Sequence, residues 1–101
     1  MIFDYSQSDF MRRVDRLIGL EEIDQLRRAF ANVLTRRRLR KHWSQVDLGG
    51  YCGLEHSYVS RLEKGSRTPS LDVMMRVARA FQIAPERLMR EVRIEFEGLN
   101  R

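Results

Sequence analysis

The side chains best suited to recognition chemistry cluster between Glu55 and Lys64. At helical spacing Leu54, Val59 and Leu62 share an inward face, and His56, Ser57, Ser60, Arg61 and Lys64 fall on the opposite, outward one. The outward face carries short hydrogen-bonding groups near its N-terminal end and two long cations further along. Such a set can make directional hydrogen bonds and meet negative charge. It is a poor basis for catalysis: the chain's two histidines and its single cysteine, Cys52, match no nucleophile–base spacing, and no glycine-rich phosphate loop follows a strand. The same residues form no set spaced like a zinc site, so neither a metal nor a cofactor is expected. A helix of this kind fits the major groove of double-stranded DNA, where base edges carry a distinguishable donor and acceptor pattern.

The elements that position this face read as helices almost throughout. Phe10, Met11, Val14, Leu17 and Ile18 recur at helical spacing behind a Ser8 cap, and Gly19 interrupts them. A second helix is expected from about Glu21 to Arg40, with Ile23, Leu26, Phe30, Val33 and Leu34 inward. Ser44 caps a short third helix whose apolar positions are Val46 and Leu48, and Gly53 ends it. The element bearing the outward face begins at Leu54 and stops at Gly65, a natural left-handed terminator. Ser66 to Pro69 is a loop. Ser70 caps a fifth helix with Leu71, Met74, Val77, Ala78 and Phe81 on its buried side, and Pro85 opens a sixth at the first turn. The tail from Glu91 is open: Val92, Ile94 and Phe96 alternate as in a strand, whereas Leu88, Val92, Phe96 and Leu99 recur as in a helix.

Two short helices joined by a tight glycine turn form a helix-turn-helix unit, and here the residues resemble the Xre/Cro phage-repressor type of helix-turn-helix domain. The matching features are Phe30, Leu34 and Arg38, then Trp43 through Leu48, Gly53-Leu54, and Ser57 through Gly65. They continue with Arg67 through Leu71 and with Ile83 through Leu88, so the likeness covers roughly residues 26–90. It implies an all-α fold, a five-helix lambda-repressor-like domain, here with an additional N-terminal helix and a short C-terminal tail. The expected division is an extension over 1–20, the DNA-binding domain over 21–90 and a tail over 91–101 that could dimerise. The family's base-reading positions fall on His56, Ser57 and Arg61, with Glu55 a fourth candidate. Arg61 could bond a guanine edge in bidentate fashion. Gln45, at the start of its helix, falls where family members touch the DNA backbone. Lys64, Arg67 and Thr68 flank the loop along a second backbone segment, Ser60 lies on the same face, and Arg40 and Lys41 could add to the field. The family pairs Glu63 with the arginine at position 38, so Arg38–Glu63 is expected to be a scaffold ion pair that reads no base.

Three positions depart from the family's pattern. Gly49 stands where alanine is usual and two helices cross closely, and Glu55 replaces the usual Ser or Thr cap. Arg37 occupies an apolar position, which suggests packing against something outside the common fold, the helix over Ser8 to Ile18 being a candidate.

Composition agrees with a polyanionic partner. The chain has 101 residues, enough for one domain, a formal charge of +5 and a pI of about 10.1. Arginine supplies nearly all the positive charge, since Lys41 and Lys64 are the only lysines. The opening Met1 to Tyr5 lacks the pattern of a signal peptide, and no stretch approaches the roughly 20 apolar residues of a membrane span. With one cysteine, this reads as a cytoplasmic chain that does not engage membranes. The expected function is sequence-specific regulation of transcription, as a homodimer on a two-fold operator. The alternative is an antitoxin-like or docking module with the same fold, holding a protein partner at the N-terminal helix or the C-terminal tail.

Overall fold

The computed structural model describes residues 19–99; the expected helix over Ser8 to Ile18 lies outside them. The described residues form five helices and no strand: α1 (Leu20–Arg40), α2 (Gln45–Cys52), α3 (His56–Glu63), α4 (Leu71–Ala80) and α5 (Pro85–Leu99).

Local chemistry accounts for most of the boundaries. Ser44 and Asp47 close a reciprocal capping box on α2: Asp47 N–H donates to Ser44 Oγ at 3.0 Å, and Ser44 N–H donates to Asp47 Oδ2 at 2.8 Å. Gly53 then turns left-handed at φ 69°, and Leu54 N–H donates back to the Gly49 carbonyl at 2.8 Å. Gly49 is required by that closure. A Cβ built on it would stand 2.5 Å from the Leu54 carbonyl oxygen, a backbone atom with no room to yield. The α3 element begins at His56, two residues later than the inward pattern suggests, because Glu55 takes the extended N-cap conformation. Ser70 caps α4 through its hydroxyl, which accepts from Val73 N–H at 3.3 Å.

The core gathers Phe30, Val33 and Leu34 of α1 with Leu48, Val59, Leu62, Val77, Phe81, Leu88 and Val92, all nearly inaccessible to solvent. Apolar burial of this kind is the main drive to fold. Trp43 covers its edge, stacked on Tyr51 at 4.4 Å and on Phe81 at 5.5 Å between ring centroids. Cys52 packs inside as a small apolar residue, and burial pushes its thiol up to about 11. Two apolar expectations fail. Val46 is 63% exposed and Leu71 is 81% exposed, because each occupies the first turn of its helix, on the side away from the core.

Residues 91–99 are helical and continue α5, which packs along α1. Val92 enters the core and Phe96 packs against it, so helical spacing outweighs the strand-like alternation. Among the described residues Arg37 finds a partner here, on α5. It donates from Nε to Glu91 Oε1 at 2.9 Å, pairs through its terminal nitrogen with Glu91 Oε2, and lies 5.9 Å from the Phe81 ring centroid. Arg36 bonds Glu95 at 2.8 Å, and Asn32 bonds the other oxygen of Glu95 at 3.0 Å. These contacts hold the carboxyls of Glu91 and Glu95 below the usual glutamate range, the Arg37 and Arg36 hydrogen bonds being the largest causes.

Neighbouring glycines of α2 therefore differ in what they tolerate. Gly50 has open space where a Cβ would go. Gly50→Ala should raise stability by about 0.5–1 kcal/mol through helix propensity, whereas Gly49→Ala should lower it by about 1–3 kcal/mol through overpacking. Denaturant midpoints of the two variants, compared with the parent chain, check the opposite signs.

Candidate nucleic-acid interface

The helix α3 is held from behind by one polar cluster. Arg38 of α1 donates from Nε to Glu63 Oε2 at 2.6 Å and from Nη2 to Glu63 Oε1 at 2.9 Å, a fork-to-fork pair. Its third donor reaches the Trp43 carbonyl at 2.8 Å, and Gln45 Nε2 donates to Glu63 Oε1 at 3.3 Å. The two charged side chains are only 13% and 6% exposed. Bonding to Glu63 raises the Arg38 pKa above its already high ordinary value, against a desolvation that lowers it. The cluster thus joins α1, the entry to α2 and the last residue of α3.

Val59 and Leu62 anchor the inner face of α3 in the core. His56, Arg61 and Lys64 are exposed on the other side, and Ser57 and Ser60 are half-buried between the two faces. Among the described residues His56, Arg61, Lys64 and Arg67 have no side-chain partner. Glu55 is also exposed, and its carboxylate makes no capping bond. The C-terminal end of α3 is closed by Gly65 at φ 74° and by Ser66, whose N–H and hydroxyl both donate to the Arg61 carbonyl at 3.1 Å. That fixes the backbone of Arg61 while leaving its guanidinium free.

The remaining candidates divide. Gln45 opens α2 with its amide turned to Glu63, and among the described residues the N–H groups of Gln45 and Val46 have no protein acceptor. Arg67 and Thr68 lie exposed in the loop after α3, and Thr68 accepts a hydrogen bond from Arg27 of α1 at 2.7 Å. Arg27 was not legible as part of the site, since a cation on the solvated side of a long helix carries no periodic signal. Lys41 sits 5.9 Å from the Trp43 ring centroid, and Arg40 acts electrostatically on Glu91, beside the seam between α1 and α5. Among the described residues no bond joins either of them to α3. Nor does any group of His, Cys, Asp and Glu there offer a metal site. No described helix is long and apolar enough to cross a membrane.

A short capped helix, a glycine turn and a second helix with a free cationic face define a helix-turn-helix DNA-binding protein. The chain belongs to the helix-turn-helix family, of the Xre/Cro type: the family's pattern matches residues 34–88, more than half its length. Its similarity to solved structures agrees. The restriction-modification controller protein C.AhdI from Aeromonas hydrophila is 35% identical, with a TM-score of 0.59 over 61% of this chain and 94% of that one. A hypothetical transcription factor, NHTF, from Neisseria is 31% identical, with a TM-score of 0.61 over 66% and 75%. The controller C.Esp1396I, seen as a tetramer in complex with its natural 35 base-pair operator, is 21% identical, a likeness of fold, with a TM-score of 0.64 over 70% and 93%. No protein with a curated description matches. The chain is thereby a DNA-binding transcription regulator of Xre type.

The scaffold role of the buried pair has a measurable signature. Glu63→Ala strands the Arg38 guanidinium and should cost about 3 kcal/mol of stability. Replacing both, Arg38→Met with Glu63→Leu, should recover most of that loss. Urea unfolding of the single and double variants makes the comparison, and equal losses would mean that the pair itself is not the source.

Proposed function

We propose that this chain is a sequence-specific regulator that places α3 in the major groove of an operator, as a homodimer on two half-sites. The observation that carries the reading is the outer face of α3: polar and cationic side chains without partners among the described residues, on a backbone fixed from behind by Arg38 and Glu63. His56, Ser57 and Arg61 read bases, and Glu55, at the mouth of the helix, is a fourth reader that would accept from a cytosine amino group. Gln45, Ser60, Lys64, Arg67 and Thr68 take the phosphates, the backbone N–H groups at the start of α2 adding to them. Arg40 and Lys41 contribute field more than contact. The described domain is the reading unit, with α5 extending it past residue 90.

An eight-residue reading helix spans only a few base pairs, so specificity calls for two copies about one DNA turn, roughly 34 Å, apart. The tail leaves only Ile94 exposed among its three alternating apolar residues, since Val92 and Phe96 pack into the chain's own core. A better surface is the apolar strip of Leu71 and Met75 on α4 with Ile83 in the turn before α5 and Pro85 and Met89 at its start, where Met75, Ile83 and Pro85 line one shallow depression. Arg76 and Arg79 line it as well, and Asp72 sits beside Arg76 at 3.4 Å. Both signs on one rim suit a self-complementary contact with a second copy, which a uniformly charged partner would not need. A docking-module reading is disfavoured by the polar outer face of α3, which a protein-only role would have no reason to keep.

Selection from random duplex DNA should return a motif with two-fold symmetry. On it, Arg61→Ala should relax the preference at one base position, costing about 1–3 kcal/mol, while Lys64→Ala should weaken operator and random DNA alike and lower the salt slope by about one. Losses that are equal on both DNAs for both variants would remove the base-reading role of Arg61. Separately, Met75→Asp should shift sedimentation toward monomer and weaken binding to the full site while sparing a half-site.

A further inference from the structure

One cation outside the matched helix-turn-helix segment is bonded to a residue of the DNA-facing loop. Arg27, in the first half of α1, donates from Nε to Thr68 Oγ1 at 2.7 Å across 41 residues of chain. The loop lies against α1 at this point, because a Cβ built on Gly65 would come within 3.6 Å of the Arg28 backbone. A hydroxyl that accepts from a guanidinium keeps its own proton to donate. Arg27 in turn keeps terminal donors: among the described residues its only other bond is a long one, Nη1 to Asp24 Oδ1 at 3.4 Å, and Asp24 itself is 71% exposed. Two donors of complementary type therefore stand side by side on the surface, with Lys64 and Arg67 exposed on the same loop.

We propose that Arg27 and Thr68 form a joint clamp for one DNA backbone phosphate, on the side of the interface beyond the C-terminal end of α3. The clamp rests on the reading of α3 as the groove-entering helix and extends the interface to a helix that reads no bases. A phosphate oxygen offers the acceptor that both groups lack: the Thr68 hydroxyl takes one oxygen, and a terminal nitrogen of Arg27 takes the same oxygen or its neighbour. Prior bonding of Nε to Thr68 orients the guanidinium before DNA arrives, so less side-chain freedom is lost on contact. A purely structural tie fits the surroundings less well, since an exposed hydrogen bond of this kind stabilises a fold little.

The experiment uses the full chain, an operator duplex and a random duplex of equal length, with affinity followed by anisotropy across a salt titration. Arg27→Gln, which keeps a donor but removes the charge, should weaken binding to both duplexes by the same factor, on the order of tenfold at low salt, and lower the salt slope by about one. Arg27→Lys should keep the slope of the parent chain. Thr68→Val should weaken both duplexes with the slope unchanged, since no charge is lost. An unchanged slope in Arg27→Gln, or a slope in Arg27→Lys reduced as much as in the glutamine variant, overturns the clamp, and a lowered melting temperature with normal affinity would assign Arg27 to the fold instead. Failure of the parent chain to bind any duplex in a salt-dependent way would overturn the underlying DNA reading and not the clamp alone.

Discussion

A charged pair between α1 and the end of α3 decides where the reading helix stands. Arg38 and Glu63 are both mostly buried, and each lost its hydration to be there, so the arrangement is stable only while every donor and acceptor is met. The structure satisfies them with the two-point bond between the pair, the Trp43 carbonyl and the Gln45 amide. Hydrophobic contacts at Val59 and Leu62 set the depth of α3 but tolerate rotation, being without direction. A fork-to-fork ion pair at its last residue does not. Orientation comes from the polar cluster and adhesion from the core.

A second set of charges works at the opposite side of α1. Glu91 and Glu95 of α5 are engaged by Arg37 and Arg36, so these two carboxylates are neutralised along the α1–α5 seam. Among the described residues Arg61, Lys64 and Arg67, on α3 and the loop after it, are without partners, as are Arg28, Arg79 and Arg90 elsewhere on the surface. Within a formal charge of +5, the reading face thus keeps three cations that no carboxylate of the described residues neutralises. Long-range attraction of a polyanion depends on such local excess more than on the total.

Much of this was legible in the sequence where a residue's role is decided by near neighbours. The caps at Ser44 and Ser70, the left-handed glycines at 53 and 65, and the inward stripe of α1 follow from spacing alone. Arg38–Glu63 was legible only through the family resemblance. What escaped depends on what lies across the fold. Periodicity places Arg37 on a face but cannot reveal that Glu91, 54 residues later, waits on α5. The same limit hid Arg27 beside Thr68 and left 91–99 undecided, since a helix and a strand bury Val92 and Phe96 equally well until α1 is there to receive them. Leu71 and Val46 misled for the reverse reason: apolar side chains in a first turn look inward by composition while the geometry turns them out.

The chain's sulfur atoms divide along the same lines as its surface. With its thiol raised to about 11, Cys52 is ionised in roughly one molecule in ten thousand at neutral pH, and the thiolate is the form that peroxides and disulfides attack. Met75 and Met89 are half exposed and need no ionisation to react. Among the described residues an oxidant therefore meets the thioethers of the α4–α5 strip before the thiol, and conversion to sulfoxide would turn that apolar surface polar while the core and the reading helix stayed chemically intact.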